Sequence, residues 1–310
     1  MFSEVKSTPA VALPRRFQYR VRDLMIQEQS GETDNRVPKM VVFTDLDGSL
    51  LDPLTYSFDA ASEALSLIRT SGIPLILASS KTRAEIEPIR FRLNHLHPFI
   101  VENGGGLYIP KGLFDFPVEE TTLRGPYQVI EIGMPYTRLR AALKEIEQRI
   151  GSPLRGFGDM SAEEVAERTG LSQPDALLAK QREYDEPFVI EGPSRVTEEI
   201  QREIDARGLR CTRGGRFYHL MGRNDKGRAC KLLIDCYRRQ YRSQGDGLVL
   251  VAIGDSLNDL PMLAAVDRPV LVQKPDGSFD PEVQLPNLIR AQGIGPAGWN
   301  RAVLDILRTS

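Results

Sequence analysis

The chain has 310 residues, of which 41% are hydrophobic and 26% are charged, close to the usage of ordinary globular proteins. This length predicts roughly two domains of about 150 residues each, and the composition excludes disorder throughout, a collagen-like fibre and a disulfide mini-protein. Its 40 lysines and arginines nearly balance its 42 acidic residues, giving a net charge of −2, which argues against a general binder of nucleic acid or membrane surfaces.

Cysteine usage and apolar runs bear on the cellular compartment. No apolar run reaches the roughly 18 residues of a membrane span, and the N-terminus lacks the apolar stretch of a signal peptide. The three cysteines, Cys211, Cys230 and Cys236, form no CxxC pair, so a disulfide framework or a zinc site is not supported. We therefore expect a cytoplasmic protein with free thiols, and neither composition nor cysteine usage indicates its chemistry.

Residues 1–38 differ from the rest of the chain. They combine Arg15, Arg16, Arg20 and Arg22 with scattered polar residues and a polar run over 29–35. This composition predicts a flexible N-terminal extension, with a short docked helix over 17–27 as the alternative. Neither interpretation indicates a specific function.

After this extension, short apolar runs alternate with helical patterns. The runs at 40–44, 73–78 and 98–101 are typical of strands that are covered on both faces. Helical spacing over 57–71 and a capping box at Thr82–Glu85 predict the two intervening helices. Strands that alternate with helices predict a parallel sheet with right-handed crossovers, so the expected fold class is doubly wound α/β.

The middle of the chain, 113–222, has a different pattern, which we interpret as a second α+β domain inserted into the first. Its predicted elements are strands at 128–132 and 188–191, helices at 137–150 and 195–207, a helix opened by the Ser161–Glu164 capping box, and a hairpin around 213–216. The first pattern then returns with helices at 224–242 and 298–308 and strands at 248–253 and 269–272. The predicted core domain is therefore 39–112 together with 223–310.

Two acidic residues follow the first predicted strand. Asp45 and Asp47 can both serve one site if the chain turns after them, as Gly48 permits. A surface turn is the alternative interpretation. A calcium loop of the EF-hand type is excluded because its sixth position would be Leu50 and its twelfth Tyr56.

Three further polar clusters lie at a strand end or a helix start. Ser79 ends the second strand, where a hydroxyl and nearby helix amides suit a phosphate oxygen, although helix capping alone would explain it. Lys226 lies at a helix start, against the dipole preference; a bound anion would offset that, and a solvated lysine is the alternative. Asp255, Asn258 and Asp259 follow the most apolar strand and suit Mg²⁺, with a helix cap as the alternative. Ligands bind at the carboxyl ends of parallel strands, so the four clusters are expected to converge.

The order of these motifs resembles the haloacid dehalogenase superfamily of phosphatases. The resemblance covers about residues 39–310, and the insertion matches the cap of the Cof-like class IIB branch, a cap of the C2B type on a Rossmann-like core. It implies that Asp45 is the nucleophile and Asp47 the general acid/base. It also implies a phosphoryl group held by Ser79 and Lys226, and Mg²⁺ held by Asp45, the Asp47 carbonyl, Asp255, and Asp259 or Asn258 directly or through water.

Further stretches look like the mannosyl-3-phosphoglycerate phosphatase family within that branch. They are 80–83, 102–105, 182–188 and 214–220. That family hydrolyses 2-O-mannosyl-3-phosphoglycerate to mannosylglycerate, a compatible solute, and the glucosyl analogue is a further candidate substrate. The N-terminal extension is not part of the family pattern.

Such a substrate carries two anionic groups and several hydroxyls, and these groups indicate which side chains would bind it. Arginine binds a carboxylate through two parallel hydrogen bonds. The candidates for the anionic groups are Lys81, Arg83, Arg182, Arg213 and Arg216; those for sugar hydroxyls are Glu102, Asn103, Asp185 and Glu186; and Gly104, Gly214 and Gly215 complete the predicted contacts. A solvated surface charge is the alternative for each residue of the insertion, and His219 is expected to be structural.

The resemblance predicts Mg²⁺-dependent hydrolysis of 2-O-mannosyl-3-phosphoglycerate through an aspartyl-phosphate. A sucrose-phosphate-like or broad sugar phosphatase would keep this chemistry and change the substrate. A phosphomannomutase-like transferase would share the fold and move phosphate to a sugar. A non-catalytic binding module is disfavoured, because the expected nucleophile, lysine and metal-ligand acids are all present.

Overall fold

A computed structural model of the chain describes residues 40–191, 198–214, 217–242 and 247–309. The predicted N-terminal extension lies outside the described residues, as do the candidate contacts Gly215 and Arg216. Within these ranges no helix is both long and apolar enough to cross a membrane.

Over much of the described chain, strands alternate with helices. The strands are β1 (Met40–Thr44), β2 (Leu75–Ala78), β3 (Phe99–Val101), β4 (Gly106–Pro110), β5 (Thr122–Arg124), β6 (Tyr127–Glu131), β7 (Leu154–Gly156), β8 (Asp185–Ile190), β9 (Arg210–Gly214), β10 (Phe217–Met221), β11 (Val249–Gly254), β12 (Arg268–Gln273) and β13 (Ile289–Ile294). The helices are α1 (Ser62–Thr70), α2 (Arg83–Arg92), α3 (Tyr136–Ile150), α4 (Ala162–Thr169), α5 (Gln173–Ala179), α6 (Glu198–Ala206), α7 (Lys226–Gln240), α8 (Leu260–Leu263) and α9 (Pro296–Arg308).

The larger sheet has the strand order β13-β12-β11-β1-β2-β3-β4-β6-β5 among the described residues. Neighbours are parallel from β13 to β3, and β4, β6 and β5 extend the sheet antiparallel. Strand β1 is buried throughout, because Met40 and Val42 join the apolar cluster on one face while Val41 and Phe43 join that on the other. The predicted doubly wound parallel core is confirmed.

The smaller sheet has the antiparallel order β7-β8-β10-β9. Helices α3 and α6 cover one of its faces through an apolar cluster that includes Leu143, Ile204 and Leu220. The sequence predicts the strand over 128–132 as part of the insertion, but in the structure this strand, β6, pairs with β4 in the larger sheet. The apolar pattern of this short strand suits either sheet, and the choice depends on a partner that the local sequence does not reveal.

Both predicted capping boxes are present. The hydroxyl of Thr82 accepts the Glu85 N–H at 3.1 Å, and the Glu85 carboxylate accepts the Thr82 N–H at 2.8 Å. Ser161 and Glu164 make the same reciprocal pair at the start of α4. The first box begins α2 a few residues after β2 ends, so the polar loop between them stays at the carboxyl edge of the larger sheet.

Trp299 connects the last helix to the end of β1. It is the single tryptophan of the chain and is fully buried. Its Nε1–H donates to Thr44 Oγ1 at 2.9 Å, and that hydroxyl donates to the backbone oxygen of Asp45 at 2.7 Å. This series of hydrogen bonds fixes the backbone at the first of the predicted site residues.

We expect Trp299→Phe to lower the free energy of unfolding by about 1–3 kcal/mol, because it leaves the buried Thr44 hydroxyl without its donor. Thr44→Val should cost a similar amount, since it leaves the indole N–H unpaired. In the double variant neither group remains, so its cost should be less than the sum of the two. Urea denaturation followed by circular dichroism measures all three values, and an additive double variant would contradict the coupling.

Candidate active site

The carboxyl ends of β1, β2 and β11 lie side by side at one edge of the larger sheet, with β1 between the other two. Asp45 follows β1, Ser79 follows β2 and Asp255 follows β11. Helix α7 begins at this edge: the Asp225 side chain caps it by accepting the Arg228 N–H. The four clusters that the sequence separates by up to about 210 residues are therefore brought together, as parallel pairing requires.

The ammonium group of Lys226 lies between two carboxylates. Its Nζ is 2.5 Å from Asp45 Oδ1 and 2.7 Å from Asp259 Oδ1, and its side chain is fully buried. Burial alone would lower its pKa, but the charges of Asp259 and Asp45 leave that pKa above its ordinary value. The lysine therefore stays charged and compensates part of the acidic cluster.

Three acids form that cluster: Asp45, Asp255 and Asp259 each offer a carboxylate oxygen within 4.8 Å of the others. Burial and the charge of Asp259 raise the pKa of Asp255 to about 7. Burial also raises the pKa of Asp45, against the opposing charge of Lys226. One lysine thus leaves negative charge uncompensated, and hard oxygen donors in this arrangement fit Mg²⁺.

The two oxygens of Asp259 are both occupied by protein groups. Its Oδ1 contacts Lys226, and its Oδ2 accepts the backbone N–H groups of Asp255 at 3.0 Å and Ser256 at 3.3 Å. Asp255 accepts a single hydrogen bond, from Ser256 Oγ at 3.1 Å, among the contacts described. Asp259 therefore fixes the loop after β11, while Asp255 and Asp45 are better placed to bind a cation directly.

Asn258 lies between this loop and the turn after β3. Its Oδ1 accepts from Ser256 Oγ at 2.7 Å, and its amide nitrogen is 3.4 Å from Asn103 Oδ1. Asn103 has φ +54°, in the left-handed region, and Gly104 follows at φ +85°. A Cβ on Gly104 would lie 2.1 Å from the Asp225 carbonyl oxygen, so this glycine allows the turn to pack on the start of α7.

Gly48 brings the loop after β1 against Asp255. Its φ is +78°, and a Cβ there would lie 2.7 Å from Asp255 Oδ2. In the same loop, Asp47 Oδ1 lies 3.0 Å from Lys81 Nζ, and the Asp47 side chain is 39% exposed. Ser79 is fully buried and its Oγ accepts the Lys81 N–H at 3.2 Å.

A cavity of about 1160 Å³ lies between these loops and the smaller sheet. The candidate residues that line it are Asp45, Asp47, Lys81, Asn103, Arg182, Arg213, Lys226, Asp255 and Asn258. The insertion also contributes Arg210, Thr212, Phe217 and His219, which sequence reasoning did not assign to the site. Their alternation along a hairpin would have indicated a shared face, once the strand register was known.

Several candidate contacts are instead engaged with other protein groups. Arg83 pairs with Glu87 and Glu183. Glu186 is fully buried and accepts from Arg140 at 2.7 Å. Gly214 lies at the end of β9, opposite Phe217. Through these ion pairs, Arg83 and Glu186 form part of the scaffold around the cavity.

Glu102 connects the core to the insertion. Its carboxylate is fully buried and accepts the N–H groups of Glu183 at 2.9 Å and Tyr184 at 2.8 Å. Nearby, Arg182 donates to the Ser80 carbonyl at 2.9 Å. Burial raises the pKa of Glu102 to about 8. The carboxylate proposed for a sugar hydroxyl is thus directed at backbone amides of the insertion.

Comparisons with known proteins agree with this geometry. Residues 42–113 match the family model described as haloacid dehalogenase-like hydrolase. The glucosyl-3-phosphoglycerate/mannosyl-3-phosphoglycerate phosphatase of Methanococcoides burtonii is 49% identical over 87% of this chain and 97% of its own. The mannosyl-3-phosphoglycerate phosphatase of Pyrococcus furiosus is 38% identical over 75% of this chain and 90% of its own.

Solved structures show the same fold at low sequence identity. A phosphatase of the haloalkanoate dehalogenase superfamily from Bacteroides thetaiotaomicron superposes with a TM-score of 0.59 at 17% identity, covering 89% of this chain and 98% of its own. A sugar phosphatase of subclass IIB gives 0.58 at 15% identity, covering 86% and 98%. These likenesses support the core with its inserted domain.

We expect Gly48→Ala to weaken Mg²⁺ binding by about tenfold or more, because the new methyl group would collide with Asp255. Gly72→Ala is the matched control: its φ is +62°, yet no atom lies within 4 Å of the added Cβ. Both variants carry the backbone strain of a left-handed alanine, about 1–2 kcal/mol. Titration calorimetry with Mg²⁺ should separate them, and equal affinities would refute the close approach.

We expect the stability of the wild type to fall as the pH rises from about 4.5 through 8. The pKa of Glu102 is raised from 4.5 to about 8 in the folded protein. The folded state therefore binds the proton more tightly than the unfolded state. The resulting stabilisation is complete below pH 4.5, the pKa in the unfolded chain, and is lost as the pH rises through 8. Glu102→Gln should flatten that part of the curve of melting temperature against pH. The exposed Glu63→Gln should leave the slope unchanged; an unchanged slope in Glu102→Gln would refute the assignment.

Proposed function

We infer that this chain, which belongs to the family of the glucosyl-3-phosphoglycerate/mannosyl-3-phosphoglycerate phosphatases, is a phosphoric monoester hydrolase acting on 2-O-glycosyl-3-phosphoglycerates. The 49% identity to the Methanococcoides burtonii phosphatase over 87% of this chain supports the family assignment. The main structural support for phosphoryl transfer is the position of Lys226, whose ammonium group lies between Asp45 and Asp259 at the cavity.

Asp45 is the nucleophile in this proposal. Its carboxylate oxygen forms a bond to phosphorus while the bond from phosphorus to the glycerate oxygen breaks, giving an aspartyl-phosphate. A carboxylate that approaches a phosphate dianion meets like-charge repulsion. The ammonium of Lys226, 2.5 Å from Asp45 Oδ1, reduces that repulsion and stabilises the equatorial oxygens.

Asp47 is the general acid/base. It donates a proton to the leaving glycerate oxygen and later accepts one from the water that attacks the aspartyl-phosphate. Its partial exposure to the cavity and its contact with Lys81 at 3.0 Å support this role, because the lysine holds the carboxylate in one orientation. Ser79, with its Oγ close to the Lys81 amide, assists Lys226 in holding the phosphoryl group.

Mg²⁺ is the proposed cofactor. Asp45, the Asp47 carbonyl and Asp255 would hold it, with Asp259 and Asn258 fixing the loop around it. When bound, it neutralises negative charge on the transferring phosphoryl group. The uncompensated charge of the acidic cluster supports this assignment.

The insertion, predicted over 113–222, serves as the cap that selects the substrate. Lys81, Arg182 and Arg213 border the cavity, and their charges suit the glycerate carboxylate and the phosphate. Glucosyl- and mannosylglycerate are the products, and both are small polar solutes. The three free cysteines support a reducing, cytoplasmic setting.

A phosphate-release assay tests the substrate assignment. Mannosyl- and glucosyl-3-phosphoglycerate should release stoichiometric phosphate with Mg²⁺ and little after chelation. Unsubstituted 3-phosphoglycerate and hexose phosphates should be turned over at least about tenfold more slowly. Equal turnover of simple hexose phosphates would favour the broad sugar phosphatase, and phosphate transferred to a sugar would favour the mutase-like transferase.

We expect Asp45→Asn to lower turnover by about 10³-fold or more, since an amide cannot form the acyl phosphate. Asp52→Asn in the same loop is the control: Asp52 accepts the N–H groups of Leu54 and Thr55 and should be dispensable for chemistry. Phosphate release under saturating substrate measures both. Wild-type turnover in Asp45→Asn would contradict the nucleophile assignment.

A further inference from the structure

Asp185 and His219 form a pair in the smaller sheet, at the wall of the cavity opposite the acidic cluster. His219 Nδ1 lies 2.8 Å from Asp185 Oδ2. Asp185 is fully buried, whereas the His219 side chain is 13% exposed and lines the cavity. The expectation that His219 is structural needs revision in the light of this position.

The strand register directs His219 to the cavity. Phe217, His219 and Met221 alternate along β10 and therefore share one face, and all of them line the cavity. Thr212 of β9 is directly opposite His219 and lines it too. Leu220 points the other way, into the apolar cluster beneath α3 and α6.

His219 differs from the buried histidine of the core. His95 uses both ring nitrogens within the protein: Nδ1 lies 3.2 Å from Arg90 Nε, and Nε2 contacts the Leu75 carbonyl. For His219, the contact described involves Nδ1 alone. The opposite edge of the ring, which carries Nε2, is the part left for a ligand in the cavity.

The charges around the pair hold the ring in one orientation. A buried carboxylate needs compensation, and Arg182 Nη1 lies 3.6 Å from Asp185 Oδ2. Arg182 is itself tied to the core through the Ser80 carbonyl. Because Asp185 accepts the Nδ1–H, a neutral ring presents an unprotonated Nε2, which accepts a hydrogen bond.

We propose that His219 binds a hydroxyl of the substrate's sugar through Nε2, and that Asp185 is the positioning residue that fixes the ring and its tautomer. This rests on the proposed function. The phosphoryl group is bound at Asp45 and Lys226, on the core wall, so the glycosyl end of the molecule is the part that reaches the smaller sheet. An acceptor at this wall suits a hydroxyl better than the glycerate carboxylate, which needs donors.

His219→Ala tests the proposal with two ligands that differ by the sugar. We expect kcat/KM for mannosyl- or glucosyl-3-phosphoglycerate to fall about tenfold, the loss of roughly one hydrogen bond in a desolvated site. The competition constant of 3-phosphoglycerate, which has both anionic groups and no sugar, should change less than about twofold. His219→Gln, which retains an acceptor, should recover part of the loss.

Matched variants separate recognition from folding. Tyr218→Phe, on the neighbouring residue of β10 and the other face, should leave both constants unchanged. Asp185→Asn should lower kcat/KM in the same direction as His219→Ala and leave 3-phosphoglycerate competition unchanged. Melting temperatures identify any variant that loses its fold. If His219→Ala does not fold, His219→Gln replaces it in both assays.

The outcomes are distinguishable. If the wild type releases no phosphate from either glycosylated substrate, the proposed function fails. If the wild type is active and His219→Ala weakens both ligands equally, or neither, the sugar contact is overturned while the phosphatase assignment stands.

Discussion

The ion pairs of Lys226 are the constraint on which the site depends. Three carboxylates within 4.8 Å repel one another, and burial adds to the cost of keeping them charged. Lys226, the first residue of α7, holds two of these carboxylates, Asp45 and Asp259, at hydrogen-bond distance from its ammonium group. Breaking such a buried arrangement by removing one partner typically costs about 3–5 kcal/mol. The position of α7, the loop after β11 and the end of β1 are therefore fixed together.

In the proposed function, the reacting groups and the sugar-binding residues lie on opposite walls of the cavity. The acids lie on loops of the larger sheet and the lysine begins α7, and the central strands of that sheet are covered on both faces. The opposite wall of the cavity belongs to the smaller sheet, whose other face packs on α3 and α6. Glu102 and Arg182 connect the two sheets through backbone groups, so this wall of the cavity is attached to the loops at the carboxyl edge of the larger sheet.

Much of the core could be predicted from sequence because its signals are local. The apolar run of β1, the Thr82 capping box and the order of the acidic motifs each depend on neighbouring residues, and parallel pairing then requires the motifs to meet. Strand β6 could not be assigned in this way, since its apolar pattern suits either sheet and does not indicate that β4 is its partner. The family resemblance supplied the substrate class, which composition and spacing do not contain.

The contacts of the insertion were harder to predict, for a physical reason. Glu102, Asp185 and Glu186 look like surface groups able to bind hydroxyls, yet all three are fully buried and engaged with backbone amides, a histidine and an arginine. Whether a charged side chain faces a ligand or another protein group depends on tertiary pairing. His219 shows the converse: its alternation along β10 becomes informative only when the register with β8 and β9 is known.

We propose that Lys226 neutralises the acidic cluster only in part and that one divalent cation compensates the remaining charge. Calorimetric titration of the full chain with Mg²⁺, alongside its melting temperature, tests this most directly. We expect saturable binding of a single ion with a rise in melting temperature, and both should be lost in Asp255→Asn. A wild type whose heat signal and melting temperature are indifferent to Mg²⁺ would contradict it.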